Sequence, residues 1–240
     1  MKKYFTFIAL FAFSYSVKAQ DVQLAPEVGV LYQSMTQKIN DSKYNTEYQI
    51  GAKVGAHLDI SFNTRFSLQT GAFLQLNTGA ESSFTKNYYL GSGLPTSDKD
   101  VRRYHINYVK VPLMAVIKTG AEFDDPHFTV GFGPYVAYAI GGYFQQEYTN
   151  TLNGEPLTKR YDEPLKIGNH IKDHIRPFDF GLQAALGYEL PFGLYFKAHY
   201  GVGLLNVFPK GVPNSFFRNH GGGLSAGYYF DLTKRKVWER

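Results

Sequence analysis

Cysteine is absent from the 240 residues. That excludes disulfides, thiolate nucleophiles and cysteine-held zinc or iron–sulfur centres. Charge is also scarce: Asp, Glu, Lys and Arg make up 19% of the chain, against about 25% in an ordinary globular protein. Beyond the N-terminal segment no apolar run approaches the roughly 20 residues of a membrane-spanning helix. Tryptophan occurs once, yet there are 19 Tyr and 20 Phe, and hydrophobic residues reach 44%. A chain this apolar and aromatic does not have the composition of a disordered one.

The N-terminus reads as an export signal. Lys2 and Lys3 give a positive start, Tyr4 to Tyr15 an apolar stretch, and Val17-Lys18-Ala19 the small residues of a cleavage site before Gln20. Residues 1–19 are therefore assigned as a signal peptide, 20–230 as the folded domain and 231–240 as a short basic tail. The net charge of +5 lies at the ends. Of 25 Lys and Arg, three sit in the signal peptide, leaving 22 against 20 acidic residues. The tail holds four basic and two acidic side chains. The body is neutral and offers no basic patch for nucleic acid.

What the body does have is alternation with a period of two, the mark of strands. Eight such segments follow one another, centred on Val28–Tyr32, Ile50–Ile60, Phe66–Leu76, Val109–Ile117, Phe128–Ile140, Phe180–Leu190, Leu194–Leu204 and Leu224–Phe230. Their connections alternate in length. Residues 37–47, 81–103, 145–177 and 208–217 are expected as long loops, and 61–65, 120–126 and 191–193 as short turns. Long connections at one end and tight turns at the other predict an all-β, eight-stranded antiparallel up-and-down transmembrane β-barrel. An even strand number puts both termini on the short-turn, periplasmic side of an outer membrane.

The two faces of these strands differ. One is apolar and almost free of charge, as contact with lipid requires. The other carries half of the 24 glycines together with Gln69, Gln75, Gln183 and ten charged or imidazole residues: Glu27, Lys53, His57, Asp59, Lys110, Lys118, Asp179, Glu189, Lys197 and His199. Glycine makes room inside a barrel whose interior barely holds side chains. Four lysines balance four carboxylates, so this set is expected to pair as a polar network filling the lumen. Tyr32, Tyr104, Tyr143, Phe144, Phe178, Phe192, Phe208, Tyr228 and Phe230 lie near segment ends and are expected to form interfacial girdles. Pro112 and Pro134 fall within strands and predict a bulge or break, as does a change of alternation phase between Tyr104 and Val109.

Four stretches, Tyr108 to Leu113, Gly131 to Tyr135, Phe178 to Leu182 with Gly187 to Leu190, and Gly223 to Phe230, resemble the outer-membrane β-barrel domain family of Bacteroidota, whose members are called porin-family or PorT-like proteins. The likeness covers nearly all of the exported chain and includes both prolines. It implies an eight-stranded barrel and assigns no activity. Within that family PorT itself is linked to type IX secretion, and no residue here singles out that branch. The family ends on the last-strand aromatic, so the tail after Phe230 departs from its pattern.

Candidate chemistry is sparse. His105 and His220 lie at strand ends with Ser225 nearby, but odd spacing places His220 and Ser225 on opposite faces of one strand, where they cannot form a dyad. His57 and His199 share the lumen phase with Asp59 and Glu189 and read as network members. His170 and His174 flank Asp173 in the longest connection without a fourth metal ligand. Gly221-Gly222-Gly223 opens a strand, so it is no phosphate loop. Lys234-Arg235-Lys236 reads as solvated. No catalytic residue, cofactor or metal is assigned. The expected role is a non-enzymatic outer-membrane barrel acting through its long loops or within an envelope complex. A narrow passive channel is the alternative, and a lipid-modifying enzyme a more distant one. The expected partners are outer-membrane lipid and other envelope proteins.

Overall fold

Ten antiparallel strands account for nearly all of the structure, a computed structural model that describes residues 21–39, 42–89, 95–120, 126–210 and 214–233. In chain order they are β1 (Asp21–Ile39), β2 (Ser42–Ser61), β3 (Phe66–Tyr89), β4 (Pro95–Lys118), β5 (His127–Leu152), β6 (Glu155–Pro164), β7 (Phe178–Glu189), β8 (Leu194–Gly203), β9 (Phe216–Tyr228) and β10 (Phe230–Asp231). The predicted signal peptide and the tail beyond Thr233 lie outside the described residues.

Eight staves close into a ring. The order runs β1, β2, β3, β4, β5, β7, β8, β9, and β9 returns to β1 from Glu27↔Gly227 to Lys38↔Phe216. β10 continues β9 past Tyr229 and pairs with the start of β1. β6 stands outside the ring and pairs only with β5 among the described residues. The first and last described segments meet at the short-turn end, where Thr233 Oγ1 donates to Asp21 Oδ1 at 2.8 Å. The turns there are built locally. Asn63 Oδ1 accepts the Arg65 and Phe66 amides, both at 2.8 Å, and Gly193 takes φ +88 in the turn before β8.

The alternation expected from sequence sorts the wall. Val28, Val30, Ile50, Val130, Phe132, Leu186 and Leu224 face outward and are exposed, while Glu27, Lys53, Asp59 and Lys110 face inward and are buried. Glycines on the inner face mark close approach. A Cβ at Gly181 would meet the Tyr135 ring at 2.6 Å, and one at Gly227 would run into the Tyr195 hydroxyl.

Four expectations need correction. The connections 37–47, 81–103 and 145–177 are largely strand, not loop, and β1 and β2 already pair at Gln37↔Tyr44. Glu81↔Arg103 to Tyr89↔Pro95 extends the β3–β4 hairpin, and Gln145↔Asp162 to Leu152↔Glu155 forms a β5–β6 hairpin. Their Tyr-, Thr- and Ser-rich sequences suit a pleated surface, and pairing persists across β4–β5 up to Thr96↔Leu152. A four-stranded sheet, β3-β4-β5-β6, therefore rises beyond the ring. Secondly, Pro112 and Pro134 cause no bulge: the β4–β5 register is the same at Lys110↔Ala137 and at Ala115↔Phe132, while the expected break is present as a gap in the ladder between Pro112↔Tyr135 and Ala115↔Phe132.

Thirdly, β4 keeps one phase from Tyr104 to Lys118, with Tyr104, Ile106, Tyr108 and Lys110 all buried. The irregularities fall on its neighbours instead, next to Asn77 (φ +56) in β3 and Gly142 (φ +140) in β5. Lastly, Tyr104 and Phe144 are buried and Phe208 packs inward against the same cluster, so none of the three is a girdle residue. Each finds an apolar core inside the mouth and has no need of the interface.

That core seals the hairpin end. After β6 the chain turns inward. Leu165 and Ile175 from 165–177, with Val207 from the β8–β9 connection and Phe217 at the start of β9, bury against Met35, Ile106, Ala137 and Ala139 on the inner wall. Amide bonds pin the insert: Ala139 to Pro177 O at 2.8 Å, Arg176 to Val207 O at 2.8 Å and Val207 to Phe217 O at 2.9 Å. The Ile175→Ala variant should lose about 2–5 kcal/mol of stability through the cavity it leaves. Ile171→Ala, at an exposed site of the same segment, should lose less than about 0.5 kcal/mol. Equilibrium urea unfolding of the membrane-mimetic-bound protein, followed by circular dichroism, measures both. Equal losses would mean that the segment does not seal the mouth.

Candidate functional site: the filled lumen and the hairpin sheet

Glu27 on β1 is the hub of the lumen. Its carboxylate pairs with Lys53 from β2 and with Lys197 Nζ from β8 at 3.3 Å. It also faces His57 Nδ1 at 3.3 Å. Two hydroxyls donate to it, Tyr195 at 3.0 Å and Ser225 at 2.6 Å. Strand parity explains the convergence, because all these residues are on the inward face of β1, β2, β8 and β9.

A second hub lies toward the short turns. Asp59 accepts from Gln69 Nε2 at 2.6 Å, Ser61 at 3.0 Å and Ser67 at 3.1 Å, and pairs with Lys118 Nζ at 3.3 Å. The hubs are joined. Gln69 Nε2 also donates to the Tyr229 hydroxyl at 3.0 Å, His57 Nε2 meets that hydroxyl at 3.3 Å, and Lys197 donates to Gln69 Oε1 at 3.3 Å. Tyr229, between β9 and β10, turns its buried side chain inward. Further along, His127 Nε2 lies 3.1 Å from Glu189 Oε2.

Toward the mouth, Asp179 accepts from the Tyr135 hydroxyl at 3.2 Å and Asn219 Nδ2 at 3.0 Å. Lys110 Nζ sits 3.7 Å from the Tyr135 ring centroid, a cation–π contact. A cavity of about 20 Å³ lined by Lys110, Asp179, Tyr108 and Gln75 has room for about one water molecule. His199 is buried, and its Nδ1 has no hydrogen-bond partner among the described residues.

The ten residues predicted for the lumen are thus all inward-facing, but they do not pair one lysine to one carboxylate. Glu27 takes two lysines, Lys118 goes to Asp59, Lys110 goes to an aromatic face, and Glu189 meets a histidine. Reach across the ring decides the partner, and a count of charges holds no reach. Tyr195 shares the parity of Lys197 and His199 on β8, and Tyr135, His127 and Ser225 share that of the inward glycines Gly131 and Gly133 on β5 and Gly223 and Gly227 on β9, so alternation could have found all four.

The other histidines are placed apart. His105 stacks on Tyr143 with centroids 4.0 Å apart, and His220 Nδ1 meets the Tyr48 hydroxyl at 3.4 Å. Ser225 points into the lumen at Glu27, away from His220. His174 stacks on Phe144 and lies 3.1 Å from Glu163, while the His170 amide donates to Asp173 Oδ2 at 2.7 Å. Gly221 to Gly223 lie in β9 and pair with Leu31 to Gln33 of β1.

Removing the hub tests this arrangement. Glu27→Ala leaves Lys53 and Lys197 buried without their carboxylate and should cost about 3–5 kcal/mol. Lys159→Ala, on the exposed hairpin, should cost no more than about 0.5 kcal/mol. Urea midpoints of the two variants decide the matter. A Glu27→Ala midpoint equal to the parent's would remove the hub.

A search of curated proteins returns no match. Among solved structures, Ail, the attachment invasion locus protein of Yersinia pestis, in complex with the heparin analogue sucrose octasulfate, aligns over 88% of this chain and 100% of its own, with 11% identity and a TM-score of 0.39. The translocator domain of the autotransporter NalP from Neisseria meningitidis aligns over 95% and 96%, with 12% identity and a TM-score of 0.27. An outer membrane channel from Pseudomonas putida F1 aligns over 88% and 96%, with 9% identity and a TM-score of 0.28. The family described as outer membrane protein beta-barrel domain matches residues 18–209. With a closed ring, an apolar outer wall and that match over most of its length, the chain belongs to the outer membrane protein β-barrel domain family.

Proposed function

We propose that the protein is a closed, non-enzymatic barrel that works through its hairpin end, with that end outside the cell and both termini in the periplasm. The carrying observation is that the lumen is blocked twice. A bonded polar network around Glu27 and Asp59 fills the lower part, and an apolar insert fills the mouth. What remains for interaction is the sheet β3-β4-β5-β6, which presents Phe84, Tyr89, Tyr148, Leu157 and Tyr161 to solvent. Its partner is an envelope or external protein, and lipid surrounds the outer wall. The separation of His220 from Ser225 supports the non-enzymatic reading. Residues 1–19 serve as the cleaved signal, and the stretches from Tyr108 to Phe230 support a place among the porin-family, PorT-like proteins of Bacteroidota.

Two measurements test this. The purified protein in planar bilayers should give no stable current steps, because opening a water path requires both the hub and the insert to move. Reproducible steps that shift when Lys53 or Asp179 is replaced would make the protein a small pore. Protease added to intact cells should cut within 145–165 and spare 191–193. Cutting confined to the short turns would reverse the orientation.

A further inference from the structure

β6 is an open sheet edge. It pairs with β5 on one side only among the described residues, and Glu155 to Asp162 are all exposed, Leu157 at 64% and Tyr161 at 58%. The direction of its free amides follows from the turn. Asn153 and Gly154 take φ of 51° and 86°, the positive pair of a two-residue hairpin turn. Leu152 and Glu155 flank the turn and exchange amide bonds, after which bonded and non-bonded pairs alternate. Leu165 keeps the same phase, its amide donating to Gly142 O on β5 at 3.1 Å. Odd-numbered amides of β6 therefore face β5. The amides of Thr158, Arg160 and Asp162 face the open edge. Pro156 and Pro164 hold the remaining edge-facing positions and have no amide to offer.

The side chains along this edge are ordered by charge. Lys159 and Arg160 precede Tyr161, and Asp162 and Glu163 follow it. Charges and prolines on an edge strand ordinarily keep it single. Here the prolines sit at the two ends, and the charges discriminate between registers of an incoming strand. Laid antiparallel with an aromatic opposite Tyr161, a strand reading basic, basic, aromatic, acidic, acidic sets carboxylates against Lys159 and Arg160 and cations against Asp162 and Glu163. Sliding it by two residues sets a basic residue against Arg160 or an acidic one against Asp162. Arg160 and Glu163 already have partners within the chain, Glu147 at 3.0 Å and Lys166 at 2.6 Å. Exposed pairs of this kind are shared at small cost, and they govern specificity more than affinity.

We infer that β6 is a docking edge for an extended peptide segment of a protein partner, which adds antiparallel as a further strand and carries two basic residues, an aromatic and two acidic residues in that order. This rests on the reading of the hairpin end as the working end of the barrel and names how its partner is held. Main-chain bonds to Thr158, Arg160 and Asp162 supply the attachment, and the charge order supplies the register.

The probe is a fluorescent decapeptide with the sequence of residues 155–164, which has the required order, titrated against the full-length protein in detergent micelles by fluorescence anisotropy. Saturable binding is expected. A peptide of the same composition with the acidic pair first should bind about tenfold more weakly or worse. N-methylation of the peptide at its Arg or its Asp should abolish binding, because those amides face β6, while N-methylation at its Lys or Tyr should leave affinity within about twofold. The protein variant R160D/D162R should lose the peptide and regain binding with a peptide carrying the same exchange, which shows that the variant is folded.

Absence of binding, indifference to charge order, or equal effects of all N-methyl groups would overturn the proposal. So would a dimer in sedimentation equilibrium that excludes the peptide, since the edge would then belong to a second copy. A closed barrel in bilayer recordings with no peptide binding would remove only the docking edge; a conducting one would remove the functional reading beneath it.

Discussion

Closure of β1 on β9 governs everything else in the molecule. In hydrocarbon no water is present to bond a free amide or carbonyl, and a strand wall is tolerable only when it has no edge. Twelve register pairs between β1 and β9 remove that edge. Closure with eight staves also fixes a narrow interior, and the narrowness dictates what the inward face is made of. Glycines stand where a side chain from the neighbouring strand comes close, as at Gly181 beside Tyr135 and Gly227 beside Tyr195. Long polar residues stand between them and must find each other, because a lone charge there has neither water nor counter-charge.

The interior meets that demand in two chemically different ways. Around Glu27 and Asp59, side chains from five staves share two carboxylates, and Gln69, Tyr229 and His57 tie the two centres into one network. Above Asp179 the wall turns apolar, and the chain supplies its own filling from 165–177, 204–210 and Phe217 at the start of β9. Hydrophobic burial of Ile175, Val207 and Phe217, each about 1.5–3 kcal/mol, closes the mouth where no lipid and no ion pair is available. One half is held by directional bonds and the other by packing, so the two halves respond to different substitutions.

Parity made much of this legible in the sequence. A period of two with one apolar phase is enough to tell the lipid face from the lumen face, and Glu27, Lys53, Asp59 and Lys110 fall where alternation places them. Parity is silent on reach, so it could not tell that Glu27 takes both Lys53 and Lys197 while Lys110 settles on the Tyr135 ring. It also fails where the wall outlives the membrane. Residues 81–89 and 145–164 are polar on both faces and carry no apolar stripe, and their strand character comes from pairing with neighbours already in register. Tyr104 and Phe144 look like interface anchors until the insert from a distant part of the chain gives them an apolar partner. Non-local filling of that kind has no signature in the local pattern.

The insert and the open edge have one origin. β5 runs on for ten residues past its bulge, from Tyr143 to Leu152, but β7 starts only at Phe178 and pairs no higher than Tyr138 on β5. The upper part of β5 would be left bare on that side. β6 covers it by folding straight back across a two-residue turn, and this moves the bare edge outward by one strand. At Pro164 the ladder stops, Leu165 makes one last amide bond to Gly142, and the chain drives into the mouth. Each residue spent on the insert is one that cannot lengthen β6 or bring β7 up beside it. Sealing the lumen and exposing a sheet edge are therefore two results of the same turn, and a longer β7 that covered the edge would have to draw its residues from the segment that closes the barrel.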